Sequence, residues 1–108
     1  MSLANIFSAI PDHLPEELID VLADTGAVRI ERIISRGHAS PEGFWYDQAQ
    51  HEFVLLVKGE AELELLNPRE RLYLRAGDYV VIAAQRKHRV VRTGNDEDCI
   101  WLGVFYHD

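Results

Sequence analysis

Cysteine is nearly absent. Cys99 stands alone among 108 residues, which excludes an internal disulfide and any zinc site built from cysteines. No apolar run approaches the ~20 residues that span a bilayer, so no membrane helix is expected. The N-terminal stretch MSLANIFSAIP has no basic residue ahead of its short apolar segment, so no secretory leader is expected and the cytoplasm is the expected compartment. Positive charge is also scarce: 11 Lys and Arg against 18 Asp and Glu give a net charge of -7. Nucleic-acid backbones are held by clustered Lys and Arg, and the short run Arg86-Lys87-His88-Arg89 is too small a cluster, so no nucleic-acid partner is expected. Internal repeats, linkers and low-complexity segments are missing as well. A chain of this length fits one domain with one core, residues 1–108.

What is present is a sequence of short alternating segments. Residues 15–24 read as a helix: Pro15 suits a first helical position, Glu16 and Glu17 complement the helix dipole, and Leu14, Leu18, Val21 and Leu22 share a helical face. From about residue 27 the period becomes that of a strand. VRIERIIS is one, with Arg29, Glu31 and Arg32 expected as solvent-side or edge charges. A turn-rich segment with Gly37, Pro41 and Gly43 follows. Phe44 to Asp47 is aromatic, and Phe44 is expected in the core with Trp101. EFVLLVK, ending before Gly59, is apolar on both faces, and so is CIWLGVFY near the C-terminus. Between them, AELEL alternates and ERLYL, YVVIA and HRVVRT are further short strands separated by turn signals. About eight strands after one helix, spanning roughly 27–106, point to an antiparallel sandwich or small barrel. Two strands with no polar face suggest that one face meets a second copy, a homodimer, unless the N-terminal helix covers it.

Two half-motifs carry the chemistry. Gly43, Glu52 and Gly59 fall at fixed spacing in GFWYDQAQHEFVLLVKG, and Gly77 and His88 do so in GDYVVIAAQRKHRVV. This pattern resembles that of the cupins, small all-β antiparallel barrels of jelly-roll topology. The cupin pattern has an HxH pair ahead of its glutamate. Here that pair falls on Trp45 and Asp47, and the Pro, Gly and Asn of the second half fall on Ala83, Gln85 and Arg92.

The resemblance implies a divalent metal at the barrel mouth, with Glu52 and His88 as ligands and Asp47 as third. His51 is a further candidate if a bulge turns it inward. A donor set of carboxylates and imidazole suits manganese, iron, nickel or zinc. Trp45 and Tyr46 are expected to line a ligand pocket. Arg92, four residues from His88, is expected on the same strand face, with an anionic ligand or a protein carboxylate as partner. No catalytic residue is fixed by sequence. Three functions are compatible with this set: a metal-dependent oxygenase- or isomerase-type enzyme on a small organic molecule, a non-enzymatic binding or sensing barrel, and a metal-free acid–base enzyme with His88 as base oriented by Glu52. Without metal, Glu52 and His88 are also compatible with a satisfied buried pair.

Overall fold

The computed structural model describes residues 2–108, and these form eight strands in two antiparallel sheets. The strands are β1 (Leu18–Asp24), β2 (Val28–Ser35), β3 (His51–Lys58), β4 (Glu60–Leu65), β5 (Glu70–Arg75), β6 (Tyr79–Ile82), β7 (His88–Thr93) and β8 (Cys99–Tyr106). The larger sheet runs β1-β2-β8-β3-β6 and the smaller β5-β4-β7.

The core forms where the two sheets face each other. Val54 and Leu56 of β3, Trp101 of β8 and Ile82 of β6 meet Ala61, Leu63 and Leu65 of β4 and Leu74 of β5. Strand alternation explains this selection, because each contributes every second residue to the interior. The expected strands over β2 to β8 are present, and Trp101 is in the core. Phe44 is not: it is 43% exposed and sits edge-on against Tyr46.

The expected helix over 15–24 is instead strand β1, paired antiparallel with β2. Leu18-Ile19-Asp20-Val21 satisfies a two-residue period as well as a helical one, and Ile19 and Val21 are β-branched. The decisive term is long-range. Arg32 on β2 is buried on the outer side of the sheet and requires a carboxylate, which Asp20 supplies across the ladder at 2.6 Å. The same guanidinium also donates to the carbonyls of Ile6, Ser8 and Ala9. These bonds hold the N-terminal segment extended along the sheet.

The sheets are unequal in width, and this creates the opening. β1 has no counterpart in the three-stranded sheet, so its inner residues Ile19 and Val21 are exposed. Beside them, between the sheets, lies a cavity.

Candidate functional site

The cavity has a volume of about 280 Å³. Its floor is β8, where Gly103 lies between the inward rings of Trp101 and Phe105. A Cβ on Gly103 would come within 3.2 Å of the Phe105 ring, so glycine keeps this floor open. Val54, Leu63, Ile82 and Val90 add apolar wall.

Glu52 begins the inward set of β3, and His88 begins that of β7. They meet across the cavity: His88 Nε2 lies 3.3 Å from Glu52 Oε1. Both are buried. The other ring nitrogen, Nδ1, lies 3.0 Å from the carbonyl oxygen of Arg86. A carbonyl only accepts, so Nδ1 carries a proton there. Nε2 then faces a carboxylate oxygen, and a second proton between them makes that contact favourable. Burial lowers the His88 pKa, but the hydrogen bond to Glu52, the hydrogen bond to Arg86 and the charge of Glu52 together outweigh it, so the net shift is upward. Gln48 donates its amide N–H to the same Glu52 oxygen at 3.0 Å. Glu52 Oε2 has no hydrogen-bond partner among the described residues.

Tyr46 completes this end. Its backbone exchanges two hydrogen bonds with His88, at 2.7 and 3.1 Å, and its ring stacks on the imidazole at 5.3 Å. Burial raises the Tyr46 pKa, and the charges of Glu17 and Glu52 raise it further, so the phenol stays neutral and able to donate.

Several expected residues lie elsewhere. Tyr46 and Gln48 are the pair that lines the cavity, so the neighbouring positions Trp45 and Asp47 do not. Asp47 is exposed, and Trp45 lies beside the Arg89 guanidinium, 5.8 Å from its ring centroid. His51 points to the outer side of β3, where its Nδ1 accepts from the Ala84 amide and its Nε2 meets Asp108 at 2.6 Å. Arg92 is turned out by an irregularity in β7. Val90 pairs with Leu63 and Arg92 with Glu62, which leaves Val91 as an extra residue and reverses the alternation. Arg92 therefore pairs with Glu60 and Glu62 and lies over Tyr73, on the outer side of the small sheet. Of the expected set, Glu52, His88 and Tyr46 come together.

Besides Gln48, three charged cavity residues were not expected. Arg29 and Glu31 on β2 face inward, paired at 2.8 Å, with the Arg29 guanidinium 4.6 Å from the centre of the Phe105 ring. Glu17 lines the mouth and accepts from the Ser35 hydroxyl at 2.5 Å. A signal for the first two was present: Arg29, Glu31 and Ile33 share a strand face, and Ile33 packs on the core.

The donor set does not fit a resident metal ion. Protein sites for transition metals take three or four side-chain ligands, and no group of three or more His, Cys, Asp and Glu is arranged for this among the described residues. The inward pair ahead of Glu52 is a phenol and an amide, and that amide turns its N–H groups, not its oxygen, toward the carboxylate.

Comparison with known proteins agrees with this architecture. No curated protein matches the sequence. A solved structure from Ralstonia eutropha JMP134, described as a candidate mannose-6-phosphate isomerase, is 37% identical over all of both chains, with a TM-score of 0.94. A cupin superfamily protein from Desulfitobacterium hafniense DCB-2 is 18% identical over 92% of this chain and 84% of its own, with a TM-score of 0.74. An RmlC-like cupin from Methanocaldococcus jannaschii, with a double-stranded β-helix fold, is 18% identical over 92% and 87%, with a TM-score of 0.69. The last two likenesses concern the fold alone. Residues 33–105 match the model of the Cupin_2 cupin domain. With two antiparallel sheets folded as a double-stranded β-helix around an inward glutamate and histidine, the chain belongs to the cupin family.

Proposed function

We propose that the protein is a metal-independent acid–base enzyme that isomerises or epimerises a small carbonyl compound by moving a proton. The observation that carries this reading is the contact between His88 Nε2 and Glu52 Oε1 at 3.3 Å, with Glu52 Oε2 left for the cavity. Glu52, rather than His88, is the proton-transfer group, because both imidazole nitrogens are already engaged. Glu52 Oε2 removes the hydrogen on the carbon next to the carbonyl. The C–H electron pair moves into the carbon framework and the carbonyl π pair onto oxygen. The Tyr46 phenol donates a hydrogen bond to that oxygen. In an isomerisation the proton held by Glu52 returns to the former carbonyl carbon, while the hydroxyl proton of the adjacent carbon passes to the oxygen anion and that carbon becomes the new carbonyl. In an epimerisation water protonates the opposite face and Glu52 releases its proton to solvent. His88 holds the carboxylate in place as an imidazolium. The relative from Ralstonia eutropha is described as an isomerase, which favours the same reaction class.

The test is exchange of the carbon-bound hydrogen for solvent deuterium, followed by NMR over a panel of hydroxy-aldehydes and hydroxy-ketones. Glu52→Gln should reduce exchange by about three orders of magnitude or more, and Tyr46→Phe by about one to two. Exchange unaffected by Glu52→Gln overturns the assignment.

The family also suggests a second reading, in which a divalent cation would be held with only His88 and Glu52 as protein ligands. Elemental analysis of protein purified without chelators separates the two. About one ion per chain, lost in His88→Ala, would favour the metal. Saturable binding without turnover, and no metal, would favour a binding or sensing barrel.

A further inference from the structure

The rest of the cavity bears on what enters it. Five charged groups line it: Glu17, Glu31 and Glu52 against Arg29 and His88. Each cation already has its carboxylate, Arg29 with Glu31 at 2.8 Å and His88 with Glu52 at 3.3 Å. Glu17 is left over, with only the Ser35 hydroxyl as hydrogen-bond donor. With His88 protonated the lining still carries one net negative charge, and no unpaired cation lines the cavity among the described residues. A phosphate or carboxylate group needs charge-assisted donors to replace its water. Here it would meet Glu17 and would have to separate an existing ion pair.

The cavity does suit hydroxyl groups. Glu31 is a strong acceptor on β2, and Glu17 is a second one at the mouth, near enough to Tyr46 for its charge to raise the phenol pKa. On the cavity floor, Trp101 and Phe105 flank the open backbone of Gly103 and offer an apolar bed for the C–H face of a small ring or chain.

Resting on the acid–base reading above, we propose that the substrate is a neutral polyhydroxylated carbonyl compound of monosaccharide size, carrying no phosphate or carboxylate, with Glu17 and Glu31 as its specificity-determining acceptors. The pairing of Arg29 by Glu31 is what excludes phosphorylated sugars.

The experiment is isothermal titration of D-mannose and of mannose-6-phosphate at equal ionic strength, into wild-type protein and into Glu31→Gln, with circular dichroism to establish that the variant is folded. Glu17→Gln serves as the second variant. In the wild type, mannose should bind saturably and the 6-phosphate about ten-fold more weakly or worse. Glu31→Gln frees Arg29 and should bring the two affinities together or reverse them. Tighter wild-type binding of the 6-phosphate, or no saturable binding of mannose, overturns the proposal. Deuterium exchange separates this failure from failure of the acid–base reading. If mannose-6-phosphate exchanges its hydrogen in the wild type and not in Glu52→Gln, the chemistry stands and the substrate class falls.

Discussion

The upward shift of the His88 pKa beside Glu52 ties folding to pH. His88 has a folded pKa above its ordinary value of 6.5, so the folded chain binds that proton more tightly than the unfolded chain does. The stabilisation is complete below about 6.5. It is lost as pH rises through the raised folded value. The urea midpoint should therefore fall across this interval, and His88→Gln should remove that component of the pH dependence. A wild-type midpoint that rises with pH there would contradict the upward shift. Sequence spacing singled out Glu52 and His88, and the structure brings the two together because each opens the inward set of its strand, His88 ahead of the irregularity in β7. It misassigned the pair ahead of Glu52 by one residue. Tyr46 and Gln48 lie in a loop with a single bridge to β7, and loop alternation has no period to read.

At the level of elements, the strands most legible in sequence were those with a core or a clear alternation. EFVLLVK reads as apolar on both faces and AELEL as half-buried. In the structure β3 buries Glu52, Val54 and Leu56 and leaves Phe53, Leu55 and Val57 partly exposed, while β4 buries Ala61, Leu63 and Leu65. β1 was illegible because its local pattern permits two periods, and the choice is made by β2. The bulge at Val91 was illegible for the same reason: it depends on pairing with β4. Arg32 is the tie between β1, β2 and the N-terminal segment, through Asp20 and three backbone carbonyls. Arg32→Ala leaves those acceptors without their donor on the sheet. Hydrogen bonds of a charged group are worth about 1.5–3 kcal/mol, so a loss of about that size is expected in urea denaturation. Limited proteolysis should also become faster within residues 2–17. Unchanged stability and unchanged cleavage would show that pairing of β1 alone holds the segment.

For the whole molecule, the outer face of the five-stranded sheet remains to be explained. Two adjacent apolar rows cross it, Ile30–Val104–Phe53–Val81 and Leu102–Leu55–Tyr79. The N-terminal segment binds at the Arg32 end and leaves these rows open, with Tyr79 66% and Val81 52% exposed. Phe53 and Tyr79 lie against one another, 5.2 Å apart. Exposed apolar surface that is contiguous across several strands marks an interaction site more often than scattered residues do. No helix is available within the described chain to cover it. We propose that a second copy does, related by a two-fold axis so that each sheet covers the other. The rows are antiparallel-compatible and nearly free of charge, as the core of an isologous interface requires. Light scattering after size exclusion should give twice the chain mass at micromolar concentration. Val81→Lys and Phe53→Lys place a charge in the middle of both copies at once, so each should shift the protein to monomer while leaving its circular dichroism spectrum intact. A wild-type monomer at that concentration overturns the dimer, and the apolar rows would then have to meet a different partner.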